Sequence, residues 1–403
     1  MSVAESVIIR DRLSHRPIWG AVFSMALGVV VLIASEFMPV SLLTPIAHEL
    51  AMSQGQAGQA ISVSGFFAVI TSLLNTPITG HLDRKKVLLG FTFLLTLSGA
   101  MVTFSTNSMM FMAGRALLGV AIGGFWSMST ATVMRLVPTH AVAKGLALIN
   151  GGNALAATIA APLGSFLGQY IGWRGAFFIV VPLAVISVIW QWRAIPSLPG
   201  NKNRQASANP LQLLRIPSVA FGMSAILFFF MGQFAVLTYL RPFLEDITHL
   251  SVTQLSFVLL LVGGGGLIGT WLIGNLLQHH LFFYLVVIPL TMALLAGILI
   301  AVGASFLATS VLLTFWGLVS TPAPVAWGLW LSQSLPDDAE AGGGLMVAVI
   351  QGAITLGAAF GGVIFDKVGG SGPLVLGLIL LLIAAYLASV TQKTVTRAAP
   401  LLG

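Results

Sequence analysis

The chain has 403 residues, of which 57 % belong to the set AVILMFWYC and only 7 % are charged. Soluble domains carry about a quarter charged residues, so 18 basic and 11 acidic side chains cannot cover a globule of this size. That balance excludes a soluble enzyme, a disordered chain and a nucleic-acid-binding domain, and the lack of cysteine excludes disulfides, thiolate catalysis and thiolate metal sites.

In chain order, apolar runs fall near 20–43, 57–79, 87–106, 109–134, 144–170 and 174–195. After a polar break they resume near 218–243, 253–277, 281–304, 308–333, 341–365 and 372–391. A helix needs about 20 residues to cross the apolar core of a bilayer, and each run supplies them. The first run follows Arg10, Arg12 and Arg16 but has no small-residue cleavage pattern after it, so it reads as a retained helix. No run alternates with the period of two that a membrane β-barrel requires. The fold class is an all-α integral membrane protein with twelve transmembrane helices.

The basic residues orient the chain. With the N-terminus inside and twelve crossings, the cytoplasmic segments hold 14 of the 18 lysines and arginines, the outer loops hold Arg174, Arg241 and Lys367, and Arg115 lies within a span. A cytoplasmic excess of Lys and Arg is the general rule, so both termini are expected in the cytoplasm. The stretch Pro196–Pro217 divides the chain into residues 1–195, a linker at 196–217 and residues 218–403, six spans on each side. A weak repeat joins the parts: SEFMPV (35–40) aligns with TYLRPF (238–243), and PLGSFLGQYIG (162–172) with AFGGVIFDKVG (359–369). Parallel six-helix repeats are one plan of membrane carriers, with the substrate site between the halves.

Ionisable groups inside the spans are few. Glu36 in the first span and Arg115 in the fourth are the two that lie well inside, and all seven histidines fall in loops or at helix ends. A charge at the bilayer centre costs roughly 2.5–3.5 kcal/mol even on the lenient insertion scale. Glu36 is therefore read as a carboxyl that loads and releases a proton, against the alternative of a carboxyl reaching water near the outer interface. Arg115 opens the spacing Arg115-x3-Gly119-x3-Gly123, in which small residues one turn apart bring helices together. Its guanidinium cannot shed its charge, so it must meet water, a carboxylate or carbonyl groups.

These residues resemble the major facilitator superfamily in its twelve-span drug:proton antiporter branch. Arg115-Ala-Leu-Leu-Gly119 with Gly123 is similar to the fourth-span motif linked to proton coupling. Ala161-Pro162-Leu163-Gly164 with Gly168 resembles the fifth-span antiporter motif, with alanine in place of the first glycine and the next glycine one place early. Gly80-His81-Leu82-Asp83-Arg84-Lys85-Lys86 resembles a shortened form of the gating loop between spans two and three. The likeness implies two six-helix pseudo-repeats and alternating access in a bacterial inner membrane. It further implies a monomer with proton coupling through Glu36 and Arg115 and no cofactor or metal.

EFMPVSLLTP (36–45), GGFWSMS (123–129), MRLVP (134–138) and APLGSFLGQYIGWR (161–174) carry a closer likeness, to the purine-ribonucleoside-exporting members of this branch. The expected cargo is a small neutral solute such as inosine or guanosine, with sugar or multidrug efflux as the alternative and a transporter-like receptor as the rival class. Trp126, Trp316 and Trp327 offer stacking faces, and Asn150, Asn153, Gln233, Tyr239 and Gln351 offer uncharged donors and acceptors inside spans. Gln233 and Tyr239 rank highest, because the seventh span mirrors the first and Tyr239 takes the place of Glu36. No P-loop and no His-Glu-x2-His pattern occurs, which disfavours an ATP-driven pump or a zinc enzyme on this chain.

Overall fold

The structure is a computed structural model and describes residues 18–79, 81–138, 141–199, 210–335 and 339–398. Its helices are α1 (Trp19–Glu49), α2 (Gln54–Thr79), α3 (Arg84–Thr103), α4 (Ser108–Leu136), α5 (Val142–Ala194), α6 (Pro217–Thr238), α7 (Leu240–Asp246), α8 (Val252–Val302), α9 (Phe306–Ser320), α10 (Ala323–Ser334), α11 (Ala339–Val368) and α12 (Gly372–Ala398). A short 3-10 turn, Pro210–Arg215, precedes α6, and no strand occurs among the described residues. Eleven helical stretches are long and apolar enough to cross a membrane, one of them the 51-residue stretch Lys144–Ala194. That stretch breaks at Gly172, whose φ of 72° is open to glycine at little cost, and so supplies two crossings. The protein is an all-α membrane protein, as its composition required.

Local chemistry explains the boundaries. Asp83, Asn107 and Ser305 each accept a backbone N–H of the helix that follows them, and Ser251 with Gln254 forms a capping box at the start of α8. The run expected at 308–333 is one crossing in two pieces, α9 and α10, because Pro322 cannot donate to the helical ladder. Likewise α6 stops at Thr238 and α7 takes over within the run expected at 218–243. The eighth and ninth crossings meet at His280, the non-helical residue inside α8.

Two large apolar cores form among the described residues. One gathers α1–α5 around Met25, Leu32, Ile122, Phe125 and Phe177. The other gathers α6–α12 around Phe229, Met292, Trp327, Trp330 and Leu381. Within the first group α1 lies on α5, and α2 on α4; within the second, α12 packs on α6 and α8, and α9 on α8. Among the described residues the groups meet chiefly where α2 faces α11, α5 faces α8 and α1 faces α7.

Glycine makes the closest approaches. A methyl group on Gly123 would stand 2.9 Å from the Ser72 nitrogen, and one on Gly119 would stand 2.9 Å from the Phe67 Cβ. α4 thus rests almost backbone to backbone on α2, which is what small residues at four-residue spacing permit. Gly164 and Gly168 let α5 close on side chains of α1, where added methyls would strike Ser41, Met38 and Leu42. Gly123→Leu is expected to lower stability by about 1–3 kcal/mol, and thermal unfolding in detergent against the unsubstituted protein measures it.

Candidate functional site

The polar centre of the molecule is built on a defect in α1. Pro39 has no N–H to give the carbonyl four residues back, so the Ser35 oxygen is left without its helical partner. In a bilayer no water is at hand to take it up. Arg115, fully buried on α4, fills the gap: its Nη1 donates to the Ser35 carbonyl at 2.7 Å. Its Nη2 donates to the Glu36 carbonyl at 3.3 Å and to the Ser64 hydroxyl at 3.1 Å, and its Nε to the Ala60 carbonyl at 3.1 Å. The guanidinium therefore ties α4 to α1 and α2, and it bonds the backbone of Glu36 rather than its carboxylate.

Glu36 itself is buried at 5 % exposure. Its carboxyl feels the Arg115 charge and lies beside the side chain of Gln351, which comes from α11 in the other helix group. Gln351 is 7 % exposed, and its carbonyl accepts the Thr355 hydroxyl at 2.8 Å. One step along the seam, the Ser62 hydroxyl of α2 donates to the Thr355 carbonyl at 3.0 Å. An acid, a fixed cation and a cross-group amide thus share one buried locus. The alternative of a Glu36 reaching water at the outer interface does not fit this burial.

The remaining sequence candidates divide. Asn150 is exposed on α5, while Asn153 and Trp126 are half-buried. Gln233 on α6 keeps a buried Oε1 that accepts no hydrogen bond among the described residues. Beside it Phe234 stacks on Phe37 of α1 with ring centroids 5.8 Å apart. Three of the candidates are packed away in this arrangement. Trp316 and Trp327 are 2 % exposed inside the second apolar core, which consumes their faces. Tyr239 is 1 % exposed, its hydroxyl donating to the carbonyls of Ala358 at 2.8 Å and Gly55 at 3.3 Å and its ring stacked on Phe365. It joins α2 to α11 and has no face left for a solute.

The loop motif also has a local role. Gly80 lies outside the described residues. Asp83 caps α3 and accepts the N–H groups of Lys85 and Leu198 and the hydroxyl of Ser197, and the Arg84 N–H donates to the Leu198 carbonyl at 2.9 Å. Burial opposes the Asp83 charge, but the Ser197 hydroxyl, the two N–H groups and Lys86 outweigh it and hold the carboxyl below its ordinary range. Pro162 again leaves a carbonyl open, that of Thr158, and Gly263 of α8 packs against it, where an added methyl would stand at 2.7 Å.

Cross-group hydrogen bonds cluster in the part of the bundle away from the linker. Asp366 at the end of α11 accepts the Ser53 hydroxyl at 2.6 Å and the Gly55 N–H at 3.0 Å. Gln59 donates to the Ala359 carbonyl at 3.2 Å, and Ser256 to Ser165 at 2.9 Å. Towards the linker, methyl groups added at Gly151, Gly343 or Gly344 would meet nothing within 4 Å.

Residues 25–353 match the family model of the Major Facilitator Superfamily. The chain belongs to that superfamily. It is 43 % identical over 378 residues to the purine ribonucleoside efflux pump NepI of Escherichia coli (strain K12), covering 94 % of this chain and 95 % of that protein. The NepI of Shigella sonnei matches to the same extent, 43 % over 378 residues and with the same coverage. The transcription regulatory protein OpdE of Pseudomonas aeruginosa is 49 % identical over 379 residues, 93 % of this chain and 94 % of that one. The chain is thus a multi-pass membrane transporter of this superfamily, with relatives named as efflux pumps.

Sequence reasoning placed Arg241 in an outer loop and did not single out Arg241, Glu245 or Asp366 as contact residues. The signal was present for one: Pro45 frees the carbonyl of Ser41 just as Pro39 frees that of Ser35. The carbonyl argument also yields a rescue experiment. Arg115→Leu leaves the Ser35 oxygen without a donor, at a cost of about 1–3 kcal/mol. Adding Pro39→Ala restores an N–H to that oxygen, so the double variant is expected to unfold at a higher temperature than Arg115→Leu alone. Calorimetry on the three proteins reads the difference.

Proposed function

We propose that this protein is a proton-coupled secondary exporter of a small neutral polar solute, a purine ribonucleoside such as inosine or guanosine, working by alternating access. The observation that carries the reading is the buried Glu36 carboxyl, held between the fixed charge of Arg115 on one side and the Gln351 amide of the opposite helix group on the other. A carboxyl whose charge changes at that point alters a contact between the two groups, which is how loading a proton would bias one arrangement over another. The groups act as the two six-helix halves, 1–195 and 218–403, joined by the linker at 196–217. With the basic linker side in the cytoplasm of a bacterial inner membrane, the present arrangement is closed outside and opens inward.

Each entering proton contributes about 1.4 kcal/mol per pH unit and about 2.3 kcal/mol per 100 mV, enough for a substantial gradient of an uncharged solute. A lipophilic cation at the midplane is costly without an opposing carboxylate, and the one deep acid here is given to the proton. Neutral hydrogen-bonding groups remain for the solute: Asn150, Asn153 and Gln351, the unpaired Oε1 of Gln233, and the face of Trp126. The name of the NepI relatives supports this choice of solute. The name of the OpdE relative supports a second reading, a membrane receptor that binds without moving solute. Counterflow of labelled inosine in proteoliposomes separates the two, since a receptor gives none.

Overproduction is expected to raise tolerance to toxic purine nucleosides and to leave tolerance to quaternary ammonium dyes unchanged; resistance confined to the dyes would make a multidrug exporter the better reading. Glu36→Gln is expected to abolish uphill, pH-driven export in proteoliposomes while solute binding, followed by calorimetry, persists. Undiminished uphill export by that variant would remove Glu36 from the coupling.

A further inference from the structure

The second proline of α1 repeats the device of the first, with the donor coming from the other side of the molecule. Pro45 leaves the Ser41 carbonyl without its helical N–H. The Nη1 of Arg241, on α7, donates to that oxygen. Arg241 is 5 % exposed, and its Nε donates to Glu245 Oε1 at 2.8 Å, one turn along α7. The other oxygen of Glu245 accepts the hydroxyl of Thr44, again on α1. Arginine and glutamate thus grip residues 41–44 of α1 from two sides, and both grips cross between the helix groups. Arg115 takes its carbonyl from within its own group, so it is not disturbed when the groups move. Arg241 has no such freedom: any opening at this end parts α7 from α1 and exposes the Ser41 oxygen to whatever replaces the guanidinium.

We propose that Arg241, oriented by Glu245, is a positioning residue that holds the end of the carrier remote from the linker closed. It does so by supplying the hydrogen-bond donor that Pro45 removes from α1. Its place in the transport cycle rests on the alternating-access reading above, but the closure itself does not. Two features fit a clasp better than a fixed strut. The seam of α1 with α7 is short, and its polar contacts are a carbonyl and a hydroxyl that water can satisfy equally well once the end opens. A clasp of this kind is strong while the seam is dry and cheap to release when water enters. Asp366, gripping Ser53 and Gly55 at the start of α2, is a second hold on the same end, so loss of Arg241 alone shifts the balance without abolishing closure.

The chain has no cysteine, which gives a clean reporter. Ala57 on α2 is 2 % exposed and packs with Tyr239 and Phe365 in the closed seam. Ala57→Cys is combined with Arg241→Gln, and the rate of labelling by a charged maleimide is measured in nanodiscs, where both faces meet the reagent. No transport and no knowledge of orientation is needed, so this test can fail while the exporter reading stands, and the reverse. The expected result is about a tenfold faster labelling than with Arg241 intact, tenfold being about 1.4 kcal/mol. Pro45→Ala, which leaves every charge in place and returns an N–H to the Ser41 carbonyl, is expected to move labelling in the same direction by a smaller factor. A purely structural Arg241 would lower the unfolding temperature without making the introduced thiol reactive in the folded protein. Should Arg241→Gln not yield folded protein, Pro45→Ala decides alone. Labelling unchanged in the folded variants overturns the proposal.

Discussion

The arrangement of this protein depends on carbonyl groups that helix α1 cannot satisfy by itself. In water an unpaired carbonyl is a small matter, because solvent takes it up. In a bilayer it must find a donor from protein, and the donor fixes which helix lies alongside. Pro39 and Pro45 each leave one such oxygen, and each is met by an arginine, Arg115 from α4 and Arg241 from α7. Arginine suits the task because its planar fork can serve several acceptors at once; Arg115 serves three carbonyls and a hydroxyl. A buried cation, costly when alone, becomes a knot that holds three helices.

The two kinds of interface differ in a way that bears on motion. Inside each helix group the contacts are broad and apolar, with phenylalanine, methionine and leucine closely packed. Between the groups they bring in hydroxyls, glycines and backbone oxygens beside apolar contacts, as at Ser62 with Thr355, Ser165 with Ser256 and Thr158 with Gly263. Apolar packing that is lost leaves voids whose cost grows with their volume, whereas polar contacts can exchange protein partners for water at nearly equal free energy. A molecule so divided yields between its groups before it yields within them. The acid at Glu36 lies where such a displacement is felt, since its neighbour Gln351 belongs to the opposite group.

The relatives sharpen the question of cargo. Proteins about equally similar to this one along nearly the full length carry names of two kinds, an efflux pump and a transcription regulatory protein. Overall identity reports chiefly on helix packing, and packing is common to a carrier and to a sensor built on its frame. What separates them is whether the groups can reverse their contacts with solute bound, and that depends on a few residues along the seams.

Much of the architecture was legible in the sequence because the bilayer imposes a strong and local rule. Each crossing must be long, apolar and helical, so the twelve runs and most of their ends could be read from hydropathy. Glu36 and Arg115 stood out for the same reason, as charges where charge is costly. The small-residue spacing at Gly119 and Gly123 announced a close neighbour, though not that it would be α2. Partnership between distant residues was not legible. Tyr239 reads as a solute ligand by its repeat position, yet it is closed in by Gly58, Gly361 and Phe365, and Trp316 and Trp327 are spent on a core. Arg241 reads as a loop residue by hydropathy, yet it is buried against α1. The sequence alone determined where backbone and charge would be left in need: at Ser35, Ser41, Glu36 and Arg115. Which group answers each need was decided only by the tertiary structure, because in a medium without water a polar atom is satisfied by whatever the packing of distant helices brings within about 3 Å.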